Sequence, residues 1–321
     1  MKVLVCLNIP EIGIELMKKE GLEITKWDKE RPMTSEELDK LVQKHDALLS
    51  TGSYRIDAPF LEKHRHLKII SQYAVGYDNI DVDAATALDI PIANAPNAMT
   101  DATADIAFGL ILATARKMCY MHKRIIEDQW KFFRPQANLG QELKNKTLGV
   151  FGLGTIGMEL AKRCKGAYDM KVIYCNRTVN EIAERELNAK KVDFNELLEQ
   201  SDIVSLHCAL TGETRNKFAK EAFRKMKDTA IFINTSRGGV HNEADLITAL
   251  KERQIWGAGL DVTNPEPMEK DNPLLFMENV AVTPHIGSAT VEARNRMAEY
   301  AAQNIIACYK GEKIPYALNL C

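Results

Sequence analysis

The chain of 321 residues is too long for a single small core and predicts two domains, because one domain usually holds roughly 100 to 200 residues. Hydrophobic residues make up 45% and charged residues 27%, a composition that excludes fibrous and disordered classes. The net charge of -2 gives no broad attraction to nucleic acid or to an anionic membrane, so we expect a small-molecule partner.

Short apolar runs that predict strands alternate along the chain with amphipathic runs that predict helices. The strand-like runs are Val3 to Leu7, Ala47 to Leu49, Ile69 to Ser71, Thr147 to Phe151, Lys171 to Cys175, Ile203 to Leu206, Ala230 to Ile233 and Gly257 to Leu260. Parallel strands need crossovers of a dozen or more residues, so this alternation predicts an α/β fold of doubly wound parallel sheets. No run reaches the ~18 apolar residues that span a bilayer, and the first is too short for a signal-peptide core.

Local signals predict where helices begin and where domains meet. Thr34 and Glu37 have the spacing of a capping box, and Asn242 precedes two acids as an N-cap. Residues 93–97 resemble a loop before a long Ala-rich helix from Asp101 to Lys117, and a second boundary falls near Gly287. We expect residues 99–287 to form a domain inserted into a discontinuous domain of residues 1–98 and 288–321, with ligands in the cleft between them.

The cysteines give no sign of a metal site or of disulfides. They occur singly at Cys6, Cys119, Cys164, Cys175, Cys208, Cys308 and Cys321. The absence of a C-x-x-C pair and of a His cluster at zinc spacing predicts no metal. An odd, scattered set of thiols is typical of a reducing compartment, and we expect the cytoplasm.

A glycine-rich loop lies between a predicted strand and a predicted helix. Its residues are Gly152, Leu153, Gly154, Thr155, Ile156 and Gly157. In this context the glycines let the backbone approach a pyrophosphate at a helix N-terminus, so residues 99–287 are expected to form a Rossmann domain that binds NAD(P). The next strand ends in Asn176, Arg177 and Thr178, without the acid that binds the ribose hydroxyls of NAD. Arg177 can pair with a 2′-phosphate, so we predict preference for NADP(H), with NAD(H) as the second cofactor.

Three later segments follow apolar strands and carry candidate catalytic side chains. They are Asn234 to Gly239, Asp261 to Pro267 and Thr283 to Ser288. Loops beyond the carboxyl ends of parallel strands line the ligand crevice, so Arg237, Glu266 and His285 are expected to converge there. Taken singly, each side chain has a plain structural explanation as a surface charge, a loop acid or a structural histidine.

Together with the glycine-rich loop, these segments resemble the D-isomer-specific 2-hydroxyacid dehydrogenases over nearly the whole chain. Tyr73 to Asp81 and Thr100 to Asp105 match further signatures of the family, and Asp261 to Pro267 resembles its glyoxylate and hydroxypyruvate reductase branch. Ala209 and Gly212 depart from the pattern, since many relatives carry proline there. The resemblance implies an NADPH-preferring reductase of a small 2-keto acid such as glyoxylate, hydroxypyruvate or 2-ketogluconate.

The resemblance also implies roles for individual residues. Arg237 would bind the substrate carboxylate, His285 would donate the proton, and Glu266 would orient the imidazole. Backbone amides of Val75 and Gly76 would complete the carboxylate anchor, and Ser288 would contact the substrate. The expected cofactor-binding residues outside the glycine-rich loop are Thr103, Asn176, Arg177, Thr178, Cys208, Ala209, Thr235, Ser236, Arg237, Asp261, His285 and Gly287.

The aromatic and basic segment from Trp130 to Pro135 predicts an interface. In the resembling branch such a segment crosses a two-fold dimer, so Phe133 would line the neighbour's substrate pocket; plain interface packing is the alternative. Substrate choice would depend on Ser53, Tyr54 and Phe133. An NAD-dependent D-glycerate or phosphoglycerate dehydrogenase is the alternative enzyme, and a nucleotide-sensing corepressor is the alternative of another class.

Overall fold

The computed structural model describes residues 1–320 and divides the chain into two compact units. Met1–Met99 and the segment that starts at Ser288 form one unit, which we call the split unit. Thr100–Gly287 form the other, which we call the continuous unit. None of the helices among residues 1–320 combines the length and the hydropathy that spanning a bilayer requires.

The split unit contains one five-stranded parallel sheet. Its elements are β1 (Lys2–Val5), α1 (Glu11–Lys19), β2 (Glu23–Lys26), α2 (Ser35–Val42), β3 (Ala47–Ser50), α3 (Ala58–Lys63), β4 (Ile69–Gln72), α4 (Val82–Ala87), β5 (Ile92–Ala93) and α12 (Val291–Lys310). The strand order is β2-β1-β3-β4-β5. Val3 and Val5 pack with α12 on one face, whereas Leu4 and Cys6 pack on the other. Burial of both faces explains the uninterrupted apolar run.

The continuous unit contains a seven-stranded parallel sheet. Its elements are α5 (Thr100–Ala115), α6 (Met118–Ile126), β6 (Thr147–Phe151), α7 (Thr155–Tyr168), β7 (Lys171–Cys175), α8 (Glu181–Leu187), β8 (Lys190–Lys191), α9 (Phe194–Gln200), β9 (Ile203–Leu206), α10 (Lys220–Lys225), β10 (Ile231–Asn234), α11 (Glu243–Lys251), β11 (Gly257–Leu260) and β12 (Val280–Val282). The order β12-β11-β10-β9-β6-β7-β8 reverses direction beside β6. Ligands bind at such a switch point in open α/β sheets.

The predicted fold of two doubly wound parallel sheets is confirmed, and so are the two predicted caps. Thr34 and Glu37 form the capping box of α2, and Asn242 caps α11 by accepting from the Asp245 amide at 3.0 Å. The long helix is shorter than predicted, because it ends at Ala115 and Lys117 adopts a left-handed backbone with φ 54°.

The predicted strand-like runs omit four strands, and these are the four sheet edges β2, β5, β8 and β12. β5 and β8 have two residues each, and β2 has no fully buried residue. An edge strand is paired on one side only and needs no continuous apolar sequence. Periodicity therefore identifies interior strands and misses edges.

Candidate active site

The glycine-rich loop joins β6 to α7 at the point where the sheet order reverses. Gly152 has φ 93°, and a Cβ there would lie 2.7 Å from the Cys208 amide nitrogen. Gly154 is the N-cap of α7, and a Cβ on it would meet no atom within 4 Å. The first turn of α7 therefore begins beside open space in which its amides can bind a phosphate. These residues fit the pyrophosphate of a nicotinamide dinucleotide.

Asn176, predicted to contact the cofactor, holds the glycine-rich loop through Leu153. Its Oδ1 accepts from the Leu153 amide at 2.6 Å, and its Nδ2 donates to the Leu153 carbonyl at 3.1 Å. Asn180 Nδ2 donates to the same carbonyl at 2.9 Å. The Asn176 amide therefore shapes the loop, while Arg177 and Thr178 are exposed beyond the end of β7.

The sequence prediction missed a basic residue beside Arg177. Lys191, in the edge strand β8, donates from Nζ to the Arg177 carbonyl at 3.2 Å. The sequence signal that could have identified it is the Lys-Lys pair about fifteen residues after Arg177. Only strand pairing brings that pair to the end of β7. A guanidinium and an ammonium thus lie where NAD-specific enzymes carry an acid.

The loop after β9 lies against the glycine-rich loop, and the loop after β10 contacts the loop after β9 through Ser236 and Cys208. Thr214 Oγ1 donates to the Ala209 carbonyl at 2.7 Å and closes the loop after β9. Burial raises the pKa of the Cys208 thiol to about 11, although Ser236 hydrogen-bonds to it. Thr235 is buried, and its Oγ1 has no hydrogen-bond partner among the described residues. The hydrogen-bonding capacity of this buried hydroxyl is therefore unused.

Glu266 and His285 form a hydrogen-bonded pair although they are nineteen positions apart in the chain. His285 Nδ1 lies 2.5 Å from Glu266 Oε1. The hydrogen bond to Glu266 raises the pKa of His285, against opposing effects of burial and of Arg237. Burial raises the pKa of Glu266, but the hydrogen bond to His285 and the nearby Arg237 leave it lowered. Arg237 therefore lies within electrostatic reach of both members of the pair.

His285 has a left-handed backbone, with φ 52°, that Asp261 holds in place. The carboxylate of Asp261 accepts from the Ile286 and Gly287 amides, both at 2.8 Å, and its carbonyl accepts from the His285 amide at 2.9 Å. Thr103 Oγ1 donates to the Gly287 carbonyl at 3.1 Å. Asp261 and Thr103, predicted to bind the cofactor, thus both fix the loop that carries His285.

The turn after β10 carries Arg237 and packs closely on the Glu266 loop. Arg237 Nη1 donates to the Ser236 carbonyl at 2.9 Å. A Cβ on Gly238 would lie 1.9 Å from the Thr263 carbonyl oxygen, so only glycine fits there. Glu243 at the start of α11 accepts from the Asn264 amide at 3.1 Å and holds the Glu266 loop from the other side.

In the split unit, the loop after β4 turns its carbonyl groups inward. The Ala74 carbonyl accepts from the Ala95 amide at 2.9 Å, and the Val75 carbonyl accepts from Asn94 Nδ2 at 2.8 Å. Among residues 1–320, the Val75 and Gly76 amides donate to no protein group. Consecutive free amides of this kind bind anions. Ser288, half-buried, accepts from the Thr290 amide at 2.8 Å through its carbonyl.

Two residues expected to select the substrate differ in their surroundings. Tyr54 is 5% exposed, and its hydroxyl accepts from the Met33 amide at 3.0 Å, so it belongs to the core of the split unit. Phe133 is 84% exposed and borders a cavity of about 290 Å³ with Trp130 and Phe132. The aromatic ring of Tyr54 fills the core while its hydroxyl is satisfied inside, and its role in substrate choice stays a prediction.

Comparisons with known proteins agree with this geometry. Residues 108–287 match the family described as D-isomer specific 2-hydroxyacid dehydrogenase, NAD binding domain. The chain is 46% identical over 323 residues to the glyoxylate reductase of Thermococcus litoralis, covering 99% of this chain and 96% of that protein.

Solved structures are also similar over nearly the whole chain. A protein from Thermus thermophilus has a TM-score of 0.92 and 36% identity, covering 99% of this chain and 100% of that chain. An NADPH-dependent glyoxylate/hydroxypyruvate reductase from Sinorhizobium meliloti, solved with NADP and malonate, has a TM-score of 0.83 and 26% identity, covering 99% and 96%. The chain belongs to the D-isomer specific 2-hydroxyacid dehydrogenase family and is an NAD(P)-dependent oxidoreductase.

Proposed function

We propose that the chain is an NADPH-preferring reductase of small 2-keto acids, with glyoxylate, hydroxypyruvate and 2-ketogluconate as the candidate substrates. The observation that carries the proposal is the His285–Glu266 hydrogen bond within electrostatic reach of Arg237, in the unit that matches the NAD binding domain. The similarity to glyoxylate reductases supports this substrate class. The continuous unit would bind the cofactor and carry Arg237, Glu266 and His285, and the split unit would contribute backbone amides to substrate binding.

The side chains can perform the reduction in one step. When bound, the reduced nicotinamide supplies a hydride to the keto carbon. Arg237 binds the substrate carboxylate through its planar fork of donors and polarises the keto oxygen. Because Nδ1 of His285 is bonded to Glu266, Nε2 gives its proton to that oxygen as the carbon–oxygen π bond breaks. The product is a 2-hydroxy acid, of D configuration where its second carbon is a stereocentre, and the Val75 and Gly76 amides provide the second anchor for its carboxylate.

The proposal for NADPH is supported by charge at the end of β7. Arg177 and Thr178 are exposed there, Lys191 donates to the Arg177 carbonyl, and the strand ends without a carboxylate. A 2′-phosphate would gain charge-assisted hydrogen bonds from these groups. NADH lacks that phosphate, so it would serve as the weaker cofactor.

A panel of keto acids assayed with NADPH and with NADH tests the proposal. We expect the highest kcat/KM with NADPH and a keto acid of two or three carbons. A strong preference for NADH with hydroxypyruvate or its phosphorylated relatives would favour the D-glycerate or phosphoglycerate dehydrogenase. Tight NADPH binding without reduction of any keto acid would favour the corepressor-like binding protein.

We also propose a homodimer in which the segment from Trp130 to Pro135 contacts the partner. Trp130, Phe132 and Phe133 are 73%, 70% and 84% exposed, an unusual density of aromatic surface that interfaces favour. Phe133 would line the partner's substrate pocket. Sedimentation should report a dimer, and a monomer at micromolar concentration would exclude this arrangement.

The six described cysteines are free thiols, which supports the cytoplasm as the location.

A further inference from the structure

A buried histidine that the proposed chemistry does not use lies behind the Arg237 turn. His241 is 0% exposed, and its ring packs against Phe232 with the ring centroids 5.7 Å apart. Its backbone is fixed without help from the side chain, because the flanking Val240 carbonyl and Asn242 amide both bond to Phe218. The His241 side chain is therefore not needed to hold the backbone of residues 240–242 in place.

The only hydrogen-bond partner of the His241 ring within residues 1–320 is Asn234. Asn234 Nδ2 lies 3.0 Å from His241 Nδ1, whereas Nε2 has no partner among these residues. Since the amide nitrogen is a donor, Nδ1 must accept and Nε2 must carry the hydrogen. Burial lowers the pKa of His241 to about 4, so the ring stays in this neutral form at working pH.

Asn234 in turn closes the turn that presents Arg237. Its Oδ1 accepts from the Ser236 amide at 2.9 Å and from Ser236 Oγ at 2.8 Å. Its Nδ2 donates to the Arg237 carbonyl at 3.0 Å and to His241. Both N–H groups and both acceptor positions of the Asn234 amide are used. A flipped amide would place its nitrogen against the Ser236 amide, donor to donor, and its oxygen against the Arg237 carbonyl, acceptor to acceptor.

We infer that His241 is a positioning residue for substrate binding, acting through the Asn234 amide to fix the turn that aims the Arg237 guanidinium at the substrate carboxylate. The inference rests on the proposed role of Arg237. Without the acceptor at Nδ1, one N–H of the Asn234 amide has no hydrogen-bond partner in the dry interior. The hydrogen bond that opposes rotation of this amide is then lost. Rotation would release the Arg237 carbonyl, and small displacements of a binding group are costly in rate.

Three substitutions separate positioning from packing. His241→Leu removes the acceptor, His241→Asn places an oxygen near the position of Nδ1, and His241→Gln places its oxygen near Nε2 instead. We expect His241→Leu and His241→Gln to raise the KM for the keto acid about tenfold, and His241→Asn to stay within about threefold of wild type. The affinity for NADPH should change less than that for the keto acid, because the glycine-rich loop that would hold the pyrophosphate does not depend on this turn. The Tm of His241→Leu should change little, because one unpaired N–H, at His241 Nε2, is exchanged for another on Asn234.

The readouts are the keto-acid KM and kcat, the Kd of oxalate for the enzyme–NADPH complex, and the Tm. His45→Leu is the matched control, because His45 is a buried imidazole of the split unit bonded to the Leu41 carbonyl and to Thr25. It should leave the KM and the oxalate Kd unchanged. If His241→Leu does not fold, the comparison of the Asn and Gln variants decides.

Wild-type oxalate affinity in both His241→Leu and His241→Gln would overturn the inference, and so would equal loss in the Asn and Gln variants. Arg237→Lys distinguishes this failure from that of the proposed function. If Arg237→Lys leaves oxalate binding intact, the planar fork of Arg237 does not hold the carboxylate, and the proposed role of Arg237 fails. If it weakens oxalate binding while the His241 variants do not, only the role of His241 is rejected.

Discussion

Two regions carry candidate functional side chains, but they differ in how those side chains are held. The first comprises the loops after β10, β11 and β12, and the second is the segment from Trp130 to Pro135. His285 is fixed by Glu266 on its ring and by Asp261 on its backbone. Phe133 is 84% exposed and borders a cavity of about 290 Å³. The first region is organised within one unit, whereas the second has a dense patch of exposed apolar surface. Substitutions should therefore affect chemistry in the first region and assembly in the second.

The largest effect is expected from His285→Ala. Loss of the proton donor should lower kcat by about 100-fold or more, the scale of general acid catalysis, while NADPH still binds. Steady-state kinetics and a fluorescence titration with NADPH measure the two properties separately. A kcat close to wild type would remove His285 from the chemistry.

Arg237→Lys should have the next largest effect. A lysine keeps the charge but loses the planar fork, so we expect kcat/KM for the keto acid to fall by about 10-fold to 100-fold. Both KM and kcat should change, because the guanidinium would bind the carboxylate and polarise the keto oxygen. Unchanged kinetics would contradict this assignment. Arg253→Lys, at an exposed position after α11, is the matched control.

Glu266→Gln should change the pH dependence of reduction. The pKa of His285 is raised by Glu266, so the proton donor is present at low pH and is lost as the pH rises through that raised value. Without the carboxylate, the descending limb of kcat/KM should move to lower pH, and the rate at neutral pH should fall about tenfold. A pH profile identical to that of wild type would exclude this electrostatic coupling.

The smallest kinetic effect is expected from Phe133→Ala, and it tests the second region. If Phe133 lines the partner's pocket, the variant should raise the KM a few-fold and leave kcat near wild type. Trp130→Ala in the same segment should weaken the dimer in sedimentation without this KM change at high protein concentration. Equal kinetic effects of the two variants would indicate plain interface packing and remove Phe133 from the pocket.

Much of the candidate site could be predicted from sequence because its residues lie next to buried strands. The glycine-rich loop and the segments of Arg237, Glu266 and His285 each follow an apolar run. The carboxyl ends of parallel strands meet at one edge, so convergence in the continuous unit followed from the fold class. Lys191 was missed, because its place beside Arg177 depends on the pairing of a two-residue edge strand.

The amino-acid sequence by itself determined the interior strands, the helix caps and the chemical types of the candidate catalytic groups. These depend on residues close together in the chain, or on burial that leaves a continuous apolar pattern. Only the tertiary structure decided which polar side chains already form hydrogen bonds within the protein. Asn176 is bonded to Leu153, Tyr54 to Met33 and Asn234 to His241 and Arg237. Each such hydrogen bond exists because folding brings a specific donor to a specific acceptor. A local sequence pattern does not predict which donor meets which acceptor.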